Sequence, residues 1–277
     1  MARAERIGLG RKLLRLNWGL ALLLAATASV GFLMLYSVAG GAMDPWASRQ
    51  MTRFAIGFVA MLVIALVDIR HWMRLAPLAW LGCLALLVAV PFIGEQGMGA
   101  QRWINLRVVQ LQPSEAMKVA LVMVLAAYYT WLPPERVSHP LWLIPPLVLT
   151  LAPVALVLMQ PDLGTSVLLL AGAGAMMFLA GVHWLYFAGA AAGAGGLIWL
   201  IGASRGTDWQ LLKDYQFRRV DVFLDPSLDP LGAAYHITQA TIALGSGGLS
   251  GRGFMQGTQS RLNFLPEKHT DFIFTTL

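Results

Sequence analysis

The sequence predicts an all-α fold, a polytopic bundle of transmembrane helices with a long, partly helical loop on the outer side. Three observations lead there. Of 277 residues, 57% are hydrophobic and only 12% are charged, about half the charged share of an ordinary soluble domain. The apolar residues stand in long unbroken blocks, whereas a soluble core mixes shorter apolar runs with recurring polar positions. A basic collar of Arg3, Arg6, Arg11, Lys12 and Arg15 directly precedes the first block, as expected of a cytoplasmic flank.

The first span reads from Leu14 to Ala39. Its basic start and Ala26-Thr27-Ala28 imitate a cleavable leader, yet the apolar run continues through Val30, Phe32, Leu33, Met34 and Leu35, which fits an uncleaved anchor. Six more spans follow, at Phe54–Val67, Leu75–Ile93, Ala116–Trp131, Leu141–Met159, Leu163–Ala180 and Trp184–Ile201. Several fall short of the roughly 20 residues that cross hydrocarbon, so flanking aromatics and snorkelling Arg or Lys must complete them. The fifth carries Pro145, Pro146 and Pro153. Such a helix must kink or break, with neighbours or water bonding the freed carbonyls.

Orientation comes from the short loops. Arg70, Arg74 and Arg136 side with a cytoplasmic N-terminus, and Arg49 and Arg53 oppose it. Counting spans then places Gly94–Ser114, Gln160–Asp162 and the loop from about Ala203 on one outer side. In that loop, Trp209, Leu212, Tyr215 and Arg219 recur at helical spacing and predict an amphipathic helix on the membrane surface. Asp225-Pro226 and Asp229-Pro230 mark turns, and Tyr235–Leu244 predicts a second short helix ending at Gly245. The chain stops at Leu277 inside the apolar run from Phe272, which reads as a cut within a further membrane helix.

Composition also excludes several functions. The net charge of +6 is concentrated in the collar, and no basic groove interleaved with aromatics suggests nucleic-acid binding. The single cysteine, Cys83, lies within an apolar run and reads as packing. The five histidines lack metal-ligand spacing, and no serine sits in a Gly-x-Ser-x-Gly elbow.

Ionisable groups at membrane depth are costly, so those at span boundaries are the functional candidates. Glu115 and Lys118, in Gln112-Pro113-Ser114-Glu115-Ala116-Met117-Lys118, are three apart and share a helix face. They read either as a salt-bridged helix start capped by Ser114 or as a cavity wall in which Lys118 meets an anionic substrate. Asp162, in Gln160-Pro161-Asp162-Leu163-Gly164-Thr165, either caps the sixth span or faces the same cavity. Arg102, in Gly99-Ala100-Gln101-Arg102-Trp103-Ile104, anchors at the interface or clamps a phosphate with its planar fork. The glycines from Gly245 to Gly257 permit a backbone nest. Asp271 lies against Phe272-Ile273-Phe274, where partial desolvation suits a general base.

These motifs, in this order, resemble the SEDS family (shape, elongation, division and sporulation), and its rod-shape branch more than its division branch. The carriers are Gln112–Glu115 with Lys118, Gln160–Thr165, and Pro266-Glu267-Lys268-His269-Thr270-Asp271-Phe272-Ile273-Phe274, while the Gly245–Gly253 stretch and Leu262-Asn263-Phe264-Leu265 favour the rod-shape branch. The resemblance implies one membrane domain over residues 1–277, part of a ten-span fold in the bacterial inner membrane, with residues 203–271 as its long outer loop. It implies a peptidoglycan glycosyltransferase that polymerises lipid II into glycan strands, with a class B penicillin-binding protein as transpeptidase partner. Asp271 matches the family's essential aspartate, and Glu115 and Lys118 match its polar cavity pair. A divalent metal is the one cofactor the chemistry leaves open, sharing charge stabilisation with Lys118 and Arg102. Broken helices and cavity charges also fit a flippase for the lipid-linked precursor, and a scaffold without chemistry is the third reading.

Overall fold

The computed structural model describes residues 8–97, 100–105, 110–229, 232, 234–248, 250–257, 264 and 268–277. Seven long helices correspond to the seven expected spans: α2 (Trp18–Val38), α3 (Ala47–Leu66), α4 (Ile69–Ile93), α5 (Pro113–Trp131), α6 (Pro140–Met159), α7 (Leu163–Leu179) and α8 (Trp184–Ala203). A short α1 (Leu9–Leu14) precedes them, and α9 (Asp214–Leu224) and α10 (Tyr235–Gly247) follow. By length and composition α2, α3, α4, α6 and α8 are able to cross a membrane unaided. The other two fall short for visible reasons, since α7 has 17 residues and α5 carries Glu115 and Lys118 in its first two turns. Leu197, Ile198 and Trp199 of α8 are all more than half exposed, a surface suited to lipid.

Helix starts are where sequence and structure differ most. The first span divides at Asn17, whose side chain accepts the Leu20 amide and caps α2. The second begins at Ala47, seven residues before Phe54, because Arg49 and Arg53 are good helix formers whose charged ends reach water. In the third, Asp68 caps α4 by accepting the Arg70 amide, so Arg70 and Arg74 lie on its first turns rather than in a loop. The α5 start is capped by no side chain. Gln112 holds the cap position, Pro113 is the first helical residue, and Ser114 is buried behind it.

Two compact units form, Met1–Val67 with Ile201–Leu277, and Asp68–Leu200. In the second unit α4, α5, α6 and α7 pack around Trp80, Leu87, Met117, Leu121, Leu125, Val157 and Leu169. Between α4 and α5 the chain forms a small antiparallel sheet, β1 (Glu95–Gly97), β2 (Ala100–Asn105) and β3 (Gln110–Leu111), in the order β1-β2-β3. Glu95 pairs with Trp103 and Ile104 with Leu111. Strands this short carry no legible alternation. Only glycine allows α4 to end against β2, because a Cβ at Gly94 would lie 2.5 Å from the Val90 carbonyl and 3.4 Å from that of Trp103.

The helix with three internal prolines stays continuous from Pro140 to Met159, and its neighbours make this possible. A proline removes the donor for the carbonyl four residues earlier. Pro153 thus frees Leu149, whose carbonyl accepts the Trp80 indole N–H at 3.1 Å. Pro146 frees Trp142, whose carbonyl accepts the Tyr128 hydroxyl at 2.7 Å. In α4, Pro91 frees Leu87, and the side-chain amide of buried Gln160 donates to it at 3.3 Å.

In the first unit, α1 is tied to the end of α3 by Lys12 Nζ donating to the Leu66 carbonyl at 3.0 Å. The expected surface helix exists but starts later, at Asp214, so Trp209 and Leu212 precede it, and its exposed large hydrophobic residues include Tyr215, Val220, Phe223 and Leu224. Arg205 forks both oxygens of Asp221 at 2.9 and 2.7 Å and covers the Phe217 ring. Those hydrogen bonds from Arg205 hold the Asp221 carboxyl below its ordinary range. Asp225 caps a short 3₁₀ turn, Pro226–Leu228, through Ser227. The second helix of the loop runs to Gly247, past Gly245, and stops where Gly248 takes a φ of 58°.

Replacing Trp80 with Phe keeps a ring in the core but removes the donor to Leu149. Trp80→Phe is expected to lower unfolding stability by about 1–3 kcal/mol, read from thermal or denaturant unfolding in detergent. Wild-type stability would show that the carbonyl of Leu149 needs no such partner.

Candidate functional site

The second unit brings Arg102 and Asp162 together. Arg102 stands on β2, and its guanidinium faces the junction between α6 and α7. Nε donates to the Gln160 carbonyl at 3.1 Å and one terminal nitrogen to the Pro161 carbonyl at 2.6 Å, while the other lies 3.8 Å from Asp162 Oδ2. Its fork therefore grips protein backbone, which leaves only its remaining N–H groups for a phosphate. Asp162 is the cap of α7. Oδ1 accepts the Thr165 amide at 3.1 Å, Oδ2 accepts the Thr165 hydroxyl at 2.9 Å, and its backbone carbonyl accepts the Ser166 hydroxyl. The side chain is 14% exposed, so the cap role that the sequence suggested is the one the contacts show.

Glu115 and Lys118 pair across one turn of α5 at 2.8 Å, as their spacing predicts. Glu115 is the more exposed of the two. The Lys118 side chain is about two-thirds covered, and its ammonium is held by Glu115.

Asp271 belongs to the first unit. It lies in a turn, exposed, ahead of a 3₁₀ helix at Ile273–Thr276. Of the apolar residues that follow it, Phe274 is 68% exposed. His269, two residues earlier, stacks on Trp46 with ring centroids 4.7 Å apart. The glycine stretch takes positive φ at Gly248, Gly251 and Gly253, the backbone freedom that glycine supplies. With Arg252, Phe254 and Phe274 it lines a cavity of about 380 Å³. Gly99, Leu265, Pro266 and Glu267 lie outside the described residues. Among the described residues no cluster of three His, Cys, Asp or Glu is placed to hold a metal ion.

Sequence reasoning passed over Gln160 and Trp46. Gln160 was legible as a polar residue among apolar ones, but its partner, a carbonyl freed by Pro91, is visible only once α4 and α7's cap are placed. Trp46 stands ahead of the second apolar block, and nothing in its spacing points to His269.

The sequence profile of the FtsW, RodA and SpoVE family of cell cycle proteins matches residues 17–277. The chain belongs to this family. It is 40% identical over 262 residues to the peptidoglycan glycosyltransferase MrdB of Escherichia coli K12, an overlap covering 92% of this chain and 67% of that protein. It is 32% identical to stage V sporulation protein E of Bacillus subtilis, over 90% of this chain and 68% of that one. Its fold is similar to a chain of a peptidoglycan synthase complex, solved in a study of how polymerisation and crosslinking are coordinated. The TM-score is 0.74 at 32% identity, over 95% of this chain and 70% of that one. It is also similar to the rod shape determining protein RodA of Thermus thermophilus, with a TM-score of 0.58 at 28% identity over 91% and 83% of the two chains. Membership of this family and the five apolar helices make the protein a multi-pass membrane protein.

If Arg102 holds the α6–α7 junction as a fork, lysine, a single point of donation, cannot replace it. Arg102→Lys is expected to cost about 1–3 kcal/mol of unfolding stability in lipid nanodiscs. Asp162→Asn should cost less, because Asn caps nearly as well. Equal stability of Arg102→Lys and wild type would remove the clamp.

Proposed function

We propose that this protein is a peptidoglycan glycosyltransferase that polymerises lipid II into glycan strands for cell elongation. The observation that carries it is the 40% identity, across nearly the whole chain, to an enzyme of that name. The Gln112–Lys118, Gln160–Thr165 and Pro266–Phe274 motifs support the family reading, and the Gly245–Gly253 stretch with Leu262-Asn263-Phe264-Leu265 supports its rod-shape branch.

In this reading the 4-hydroxyl of the acceptor sugar attacks the anomeric carbon of a donor carried on lipid pyrophosphate. Asp271 accepts the hydroxyl proton, the new C–O bond forms as the old one breaks, and the anomeric centre inverts. An exposed carboxylate in a turn is free to meet such a hydroxyl. Negative charge grows on the leaving pyrophosphate, and Lys118 with the unused donors of Arg102 offsets it. Glu115 orients Lys118 through their ion pair, and Asp162 orients Arg102. The activated bond belongs to the substrate, so no nucleotide is required.

The remaining assignments follow from this chemistry. Both substrates carry polyprenyl tails, so residues 1–277 act as one membrane domain, with the loop from residue 203 to 271 on the outer face of the bacterial inner membrane and the N-terminus in the cytoplasm. A class B penicillin-binding protein is the transpeptidase partner that crosslinks the nascent glycan. A flippase or a scaffold would need no general base, and this difference provides the test.

Asn keeps the shape of Asp but cannot take a proton at neutral pH. Asp271→Asn is expected to fold and bind lipid II while polymerising it at least about a hundredfold more slowly, the usual weight of general-base assistance. Glycan synthesis on lipid II by the purified variant is the measurement. A near-normal rate would remove Asp271 as the base.

A further inference from the structure

We infer that Trp46 is a positioning residue for the turn that carries Asp271, acting through the stacked ring of His269. The inference rests on the reading of Asp271 as the general base. The two rings are nearly parallel, with an interplanar angle of 22° and centroids 4.7 Å apart, and both residues are partly buried. They come from opposite ends of the first unit's sequence, so the contact is tertiary rather than local.

The two sides of the stack differ in rigidity. Trp46 sits at the cap of the 20-residue α3, where its carbonyl accepts the Gln50 amide at 3.0 Å. Just ahead of it the Met43 carbonyl accepts the Ser48 amide at 3.0 Å, and Asp44 accepts the Ser48 hydroxyl. The same loop approaches the glycine stretch, since a Cβ at Gly41 would lie 3.2 Å from Met255 Cε. Residues 268–272, by contrast, form turns without a helix or strand of their own. The 3₁₀ helix that follows packs against α2 and α10, which fixes the turn from its C-terminal side. The Trp46 ring fixes it from the other side, two residues before Asp271. A base must be held close to the proton it removes, and a displacement of about 1 Å is enough to cost roughly a hundredfold in rate.

The test compares Trp46→Ala, His269→Ala and the double variant in the purified full chain, with lipid II as substrate. Each single change is expected to lower kcat about tenfold to a hundredfold at unchanged KM. The double variant should fall no further than the slower single, as for two residues acting through one contact. Backbone amides of residues 268–272 should exchange faster with D₂O in all three. Trp46→Phe, which retains a ring face, should recover most of the rate. If Trp46→Ala fails to reach the membrane, the same comparison is made between Trp46→Phe and Trp46→Leu. Losses that multiply in the double variant, or unchanged exchange in the turn, would overturn the inference and leave Trp46 as an interfacial anchor. A near-normal rate in Asp271→Asn overturns the base and this inference together, whereas a slow Asp271→Asn with unchanged exchange overturns the stack alone.

Discussion

Within hydrocarbon a backbone carbonyl without a donor costs several kcal/mol, so a proline inside a membrane helix creates a debt to the rest of the bundle. Here Pro91, Pro146 and Pro153 free the carbonyls of Leu87, Trp142 and Leu149, and Gln160, Tyr128 and Trp80 donate to them. Each donor belongs to a different segment from the carbonyl it serves. The bonds therefore tie α4 to α6, α5 to α6, and α4 to the junction after α6. The apolar core around Leu121 and Leu169 fills the space between these ties, but packing alone is weakly directional and does not set register.

The frame of the candidate site extends from one of these ties. Gln160 donates to Leu87 with its side chain and accepts from Arg102 with its carbonyl. Arg102 also grips Pro161 and faces Asp162, which caps α7. The hydrogen bond from Gln160 to the carbonyl that Pro91 frees, those from Arg102 to Gln160 and Pro161, and the 3.8 Å approach of Arg102 to Asp162 thus link α4 to the start of α7. The cost of the proline is offset by a linkage that places two ionisable side chains at the edge of the bundle. A polar group at that depth would otherwise be hard to hold in a single orientation.

The spans and their order were legible because hydrophobic blocks of this length admit few other readings. The need for donors to the carbonyls of α6 was legible as well, from the three prolines alone. The donors themselves were not, since nothing in the sequence spacing links Trp80 to Leu149 or Gln160 to Leu87. Helix starts were misplaced where charge preceded the apolar run, as at Arg49 and Arg70, because a hydropathy reading stops at charges that a helix tolerates on its outer turns. Ser114 was taken for a cap that Pro113 pre-empts, proline being favoured at the first helical position. The Glu115–Lys118 pair followed from local spacing. The double role of Asp162, cap and partner of Arg102, required β2 to be folded back against it.

The family to which the chain belongs, the polar boundary residues and the lipid-facing helices agree with chemistry on a substrate that never leaves the membrane. In the proposed reaction, an exposed carboxylate on the Asp271 turn is suited to take the proton that departs from the attacking hydroxyl. A transporter for the same lipid would use such groups to bind and release without making a bond. The direct measurement is to place the purified protein in lipid vesicles with labelled lipid II and no other polymerase, and to separate the products by size. The account predicts a ladder of glycan polymer. Lipid II that is moved across the bilayer or left unchanged, with no polymer formed, would contradict it.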